Sequence, residues 1–247
     1  MCKGVKERNP HLVSSAVFGA MPYGGEIEDH EVVEKLNIEP YLFKKKIDKI
    51  QLVYAGAMLP RAYAPLEAIF KSIQVNRDIF EEIEFHFIGT GKKPNDRESY
   101  NIKPLAEQYN LWQTTVYEYA QRIPYLDVLV HLNIADGIFI LGSTEPHYTP
   151  SKTYQGVLSG KPLLAVLHEQ CSAVKVIRDS NAGMVLAYSG EAELQKIETD
   201  FADLLTKFIK WVNLFKSAKV NGEIFDQYSA KNITHILSDL LNKAMAK

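Results

Sequence analysis

The sequence predicts a doubly wound α/β domain, a parallel sheet covered by helices on both faces, followed by C-terminal helices. Three observations predict it. From about residue 50 onward, short apolar runs alternate with stretches of helical periodicity. The runs are apolar almost throughout rather than alternating, as strands buried on both faces must be. Several of them close on glycine, at Gly56, Gly89 and Gly142, where a strand hands over to a loop.

Taken in order, "IQLVYAG" (50–56) is the first strand and "YAPLEAIFKSI" (63–73) the helix after it. "IEFHFIG" (83–89) is the second strand, followed by a polar turn and a helical "IKPLAEQYNL" (102–111). "TTVYEY" (114–119) is the third, and "IPYLDVLVHLNIA" (123–135) a helix with proline at its start, where a missing N–H costs nothing. "GIFILG" (137–142), "PLLAVL" (162–167) and "AGMVLAY" (182–188) complete the strands, with helices at about 151–159 and 171–179 between them. In 201–219, Phe201, Leu204, Leu205, Phe208, Val212 and Phe215 share one face and Lys207, Lys210, Lys216 and Lys219 occupy the rest. That pattern predicts a helix docked on the sheet, with a membrane-surface helix as the alternative. A last helix is expected over 228–244. The first 46 residues show no sustained period and carry turn chemistry at Pro22-Tyr23-Gly24-Gly25, so they read as a connecting arm or the remnant of another domain.

Composition narrows the function. The chain has 247 residues, 46% hydrophobic and 23% charged, ordinary for a globular protein with a real core. Its net charge of −2 argues against nucleic acid as a partner. Two cysteines, Cys2 and Cys171, form neither a disulfide framework nor a metal spacing, so a reducing cytoplasm is the expected compartment and no metal is expected. No charged start precedes an apolar run, and no window is apolar enough to span a bilayer, so neither a signal peptide nor a membrane span is expected.

Most tempting motifs fail. "FIGTGKKPN" (87–95) has Pro94 where a dinucleotide fingerprint needs glycine or alanine, and no glycine at 86 for a phosphate-binding loop of the Walker type. It reads as a turn at a strand end. His86 and His131 fall inside a strand and a helix and read as structural. The passage "STEPHYTPSKTYQGVLSGKP" (143–162) differs. It brings Glu145, His147, Tyr148, Ser151 and Lys152 to the carboxyl end of a strand, where open α/β sheets bind ligands. Ser151 is placed to cap the following helix, Gly160 and Pro162 to end it. A helix start with a hydroxyl and a lysine suits an anion.

This passage, with four others in the same order, resembles the C-terminal, nucleotide-sugar-binding domain of the retaining GT-B glycosyltransferases, the group that includes bacterial polysaccharide enzymes. "LVYAGAML" (52–59) resembles that Rossmann-like domain's opening strand and glycine turn, "FHFIGTG" (85–91) its second strand, and "SNAGMVLAY" (180–188) its last. "AQRIPYLDVLVHLNIADGIFIL" (120–141) resembles its passage of a loop, a helix, Ala-Asp and a strand, and "TPSKTYQGVLSGKPLLAV" (149–166) the segment that Ser-Lys opens and Gly-Lys-Pro closes. The likeness covers about residues 48–245. It divides the chain into an arm over 1–46, standing where an acceptor domain would be, and a donor domain over 47–247.

The resemblance implies a site. Ser151 and Lys152 would contact the diphosphate, Arg61 would neutralise it, Gly56 would sit in the glycine turn, and Arg122 and Ile123 would meet the base. Gln155 stands where the family has a ribose-gripping glutamate, and His147 where it has a second acidic residue, with Glu145 two residues away. Catalytic roles would fall to Arg61, Lys152, Glu145 and His147. The implied function is sugar transfer, with retention, from a UDP- or GDP-linked donor to a glycan or lipid-linked acceptor, at the inner face of the membrane if the acceptor is a lipid. No cofactor is implied beyond the nucleotide-sugar substrate, and an acceptor domain would be a missing segment or a partner. Gln155 and His147 favour a non-catalytic nucleotide-sugar-binding module as the alternative; a dehydrogenase of related fold is disfavoured by the failed fingerprint.

Overall fold

The computed structural model describes residues 2–13 and 16–246, so residues 1, 14 and 15 of the arm lie outside the described residues. Six strands form one sheet: β1 Ile50–Ala55, β2 Ile83–Ile88, β3 Val116–Tyr119, β4 Gly137–Leu141, β5 Leu163–His168 and β6 Gly183–Tyr188. They are ordered β3-β2-β1-β4-β5-β6 and every pairing is parallel. This is the doubly wound α/β architecture that the apolar runs predict.

The helices divide by face. On one face α3 (Tyr63–Val75) packs with α9 (Leu194–Val212) over a core that includes Leu52, Phe85, Phe139, Phe201 and Phe208. On the other, α6 (Tyr125–Ile134), α7 (Lys152–Leu158) and α8 (Ser172–Asp179) cover Val53, Ile138, Ile140 and Ala165. Alternate residues of a strand point to opposite faces, so consecutive Leu52 and Val53 feed different cores. Strands closed in on both sides need apolar residues at every position, hence the continuous runs. The other helices are α1 (Cys2–Arg8), α2 (Glu28–Lys35), α4 (Arg77–Phe80), α5 (Lys103–Gln108), α10 (Gly222–Asp226) and α11 (Ala230–Met245).

Where sequence and structure differ, the reasons are local. Helix α9 begins seven residues before the expected start and ends at Val212. Its first turns are polar apart from Leu194 and the buried Ile197, so periodicity alone misses them. Its apolar face is spent on the sheet, with Ile197, Phe201, Leu205 and Phe208 buried, which withdraws that face from a bilayer. Among the described residues no helix is long and apolar enough to cross a membrane. Ser151 precedes α7 but makes no capping hydrogen bond, because its own backbone is already helical at φ −58°, ψ −28°. Gly160 does end the helix, at φ +68°.

The arm holds α2 but no strand among its described residues beyond a single bridge, Gly25 to Ser229. It is more deeply engaged than turn chemistry suggests. Val33 and Phe43 join the core of the α6 face, and the Phe43 ring stacks on His86 at 4.0 Å. The strap is pinned by His131, whose Nε2 accepts from the N–H groups of Tyr41 (3.2 Å) and Leu42 (3.1 Å). His86 sits among Glu84, Gln51 and Tyr119, and burial pushes its imidazole down to about 4. Both histidines are structural, as their positions in a strand and a helix suggest.

One cap is invisible in the sequence. The buried Glu118 carboxylate, from β3, accepts from the N–H groups of Asn101, Ile102 and Lys103 and from the Thr90 hydroxyl, all within 3.2 Å. It thereby satisfies the free amides at the start of α5. Glu118→Ala should lower the urea-unfolding free energy by about 3 kcal/mol, because several buried donors lose a charged acceptor together; a loss below ~1 kcal/mol would show the cap to be dispensable.

Candidate functional site

β1 and β4 are neighbours in register over just two pairs, Leu52 with Gly137 and Val53 with Ile138. Beyond these their carboxyl ends part. Their following helices, α3 and α7, leave to opposite faces of the sheet. A cavity of about 520 Å³ opens there, in the size range of small-molecule sites. Gly56, Tyr148, Ser151, Lys152 and Gln155 line it, with Gly24 of the arm on its wall.

Lys152 dominates this cavity. Its ammonium nitrogen is inaccessible to solvent and has no hydrogen-bond partner, the one charged group among the described residues in that position. It lies 3.6 Å from the centroid of the Tyr54 ring, a cation–π contact from the strand beneath. Burial draws its pKa from 10.5 down to about 7. Gly56 faces it: at φ +111° only glycine is at ease, and a Cβ there would stand 3.7 Å from Lys152 Cε and Nζ. The glycine turn therefore places no side chain against the ammonium. Tyr54 is held in turn by its hydroxyl, which donates to Ala57 O at 3.1 Å.

The other expected residues fall into three groups. Gln155 lines the same cavity one turn beyond Lys152, but its side-chain oxygen is already engaged, 3.1 Å from His30 Nε2. Ser151 is exposed and lines the wall without capping. Arg61 and Glu145 pair with each other at 3.2 Å, and Thr144 N donates to Arg61 O at 3.1 Å, which ties their two loops together. Neither is part of the wall around Lys152, so the expected approach of Lys152 to Arg61 is replaced by the Arg61–Glu145 pair. His147 is exposed and off that wall too, since its loop turns it outward.

Arg122 and Ile123 line a second cavity, of about 480 Å³, at the carboxyl end of β3. Tyr41 and Tyr100 share its wall. The N–H of Arg122 donates to Pro94 O at 2.8 Å, holding the "GKKPN" turn against this loop. Tyr125 follows directly and lines the Lys152 cavity, so the two cavities flank the start of α6. No group of three or more metal-binding side chains occurs among the described residues.

Two contributors escaped sequence reasoning. Tyr54 sits in a strand run, where an aromatic residue signals core. His30 lies in the arm, where no period announces it.

No family model and no curated protein sequence matches the chain. Solved structures do. The UDP-forming α,α-trehalose-phosphate synthase of Burkholderia xenovorans superposes with a TM-score of 0.62 at 11% identity, over 91% of this chain and 52% of that one. The N-terminal domain of Candida albicans trehalose-6-phosphate phosphatase gives 0.60 at 16% identity, over 98% of this chain and 56% of that one. S. aureus TarM gives 0.56 at 15%, over 89% and 43%. The chain is similar in structure to one GT-B glycosyltransferase domain. It spans about half the length of the structures it matches.

Burying an unpaired ammonium has a stability consequence. The folded pKa of Lys152, about 7, lies below the 10.5 of the free side chain, so between these values the unfolded chain binds more protons. Stability should therefore rise with pH across that window, with the penalty complete below pH ~7. The Tyr54 face offsets part of it, up to ~2 kcal/mol for a desolvated pair. Lys152→Met should raise the melting temperature by several degrees, roughly 2–4 °C per kcal/mol relieved, and more at pH 6 than at pH 9. Equal or lower melting temperatures for the variant at pH 6 would contradict this.

Proposed function

We propose that residues 47–247 form the donor half of a glycosyltransferase and that the Lys152 cavity holds the diphosphate end of a nucleotide-sugar. The observation that carries this reading is the unpartnered Lys152 ammonium, buried beside a glycine turn at the point where the strand order reverses. A buried charge without a counter-ion is costly, and a diphosphate would supply the missing partner. Gly56, Ser151 and Gln155 line the same space, and Arg122 and Ile123 lie on the next loop, where a base would reach.

In such a reaction the bond between the sugar and the diphosphate breaks and negative charge builds on the departing nucleotide. Lys152 stabilises that charge from a water-poor site, where an ammonium acts far more strongly than in water. Arg61, held by Glu145, adds a second cation from the neighbouring loop. Retention and a glycan or lipid-linked acceptor come with the resemblance, and the acceptor would be held by another domain or partner. Localisation in the cytoplasm, at the membrane face for a lipid-linked acceptor, belongs to the same proposal. Gln155 in the ribose position and the outward His147 favour a second reading, a nucleotide-sugar-binding module without catalysis.

Calorimetric titration with UDP, GDP and NAD tests the proposal. UDP or GDP should bind, NAD should not, and Lys152→Ala should cost about 1–3 kcal/mol of binding. The pH dependence is a sharper sign. With the free amine at about 7, binding an anion above that pH requires proton uptake. Affinity for a UDP- or GDP-sugar, whose diphosphate does not titrate near neutrality, should be level below pH ~7 and then fall by up to about tenfold per pH unit. A flat profile from pH 6 to 9, or tight binding of NAD, would contradict the assignment.

A further inference from the structure

The arm meets the cavity at three places. Gly25 approaches α7 so closely that a Cβ there would stand 2.7 Å from Leu158 Cδ1 and 3.2 Å from Gln155 Nε2. Its backbone is clamped to the C-terminal region, with its N–H donating to Tyr228 O and its carbonyl accepting from Ala230 N, both at 3.1 Å. Four residues on, the Tyr125 hydroxyl at the cavity wall donates to Asp29 Oδ2 at 2.7 Å. Directly after Asp29, His30 is buried, 6% exposed, with Nδ1 3.0 Å from Asn133 Oδ1 and Nε2 3.1 Å from Gln155 Oε1.

We infer that the arm is a wall of the ligand site and that His30 is a positioning residue for Gln155. This rests on the reading of the cavity as a nucleotide-sugar site. A free glutamine side chain at a cavity wall rotates, and offers a ligand either its carbonyl or its amide group. Here the imidazole stands against the side-chain amide of Gln155, with Asn133 on its far side. A neutral ring donates through one nitrogen and accepts through the other, so its tautomer decides which end of the Gln155 amide it holds. The other end of that amide is left for the ligand, as one kind of group only, and a ribose hydroxyl can meet either kind. The arm thus sets the polarity of the contact.

The test compares UDP, or GDP if that is the nucleotide bound, with its 2′,3′-dideoxy analogue, by calorimetry. The proteins are wild type, His30→Ala, Gln155→Leu and the double variant. Wild type should favour the ribonucleotide, and His30→Ala should narrow that preference about three- to tenfold, the worth of one hydrogen bond. The double variant should be no worse than Gln155→Leu alone, because His30 acts through Gln155. A purely structural role would weaken both nucleotides equally and leave the ratio unchanged. If circular dichroism shows His30→Ala unfolded, His30→Gln can still hydrogen-bond to the Gln155 amide from either end and should keep most of the preference. An unchanged ratio in the folded His30 variant, or additive losses in the double variant, overturns the positioning role alone. Failure of wild type to bind either nucleotide overturns the nucleotide reading and this inference with it.

Discussion

The site depends on one topological constraint, the adjacency of β1 and β4 at the centre of the sheet. Every other neighbouring pair of strands in the sheet has both following connections on one side or ends the sheet, but after β1 and β4 the chain leaves to opposite faces. Parallel strands put all their carboxyl ends on one edge, and divergent helices leave that edge uncovered between the two strands. The pairing of β1 with β4 stops after two residue pairs, which widens the gap. Gly56 turns away at its lip and α7 starts at its far side. A lysine at the first position of α7 then has little choice but to lean over β1, where the Tyr54 ring receives it.

That placement sets function against stability. An apolar residue at 152 would pack against Tyr54 without the penalty of an isolated ammonium, and a surface lysine would keep its charge hydrated. The chain has neither. It holds a cation over the Tyr54 ring, which Ala57 O fixes, beside a cavity where Gln155 meets His30 and Tyr125 meets Asp29.

The fold was legible in the sequence because burial on both faces imposes its own signature. Strands such as "GIFIL" and "LLAVLH" have no polar face to hide, and glycine closes several of them. The segment that carries Lys152 was legible too, since its start and its Gly160 stop bracket one short helix. What could not be read were contacts made across the chain. Glu118 caps a helix that begins some fifteen residues earlier, and His30 reaches Gln155 across 125 positions. Neither leaves a periodic or spacing signal. Ser151 shows the opposite failure: its residue type suggested a cap, but its own helical backbone turns the hydroxyl from that task. Arg61 and Glu145 were each expected at the ligand, whereas opposite charges on adjoining loops found each other first.

The most direct measurement is the titration of Lys152 itself, followed by NMR on protein carrying ¹³C-labelled lysine, with Lys152→Arg identifying the resonance. In the free protein the amine should titrate near 7, and saturation with UDP-glucose or GDP-mannose should move the midpoint up by about one unit or more, as a bound diphosphate favours the ammonium. A midpoint at the ordinary 10.5, unmoved by either nucleotide-sugar, would mean that Lys152 is neither buried as described nor a seat for phosphate.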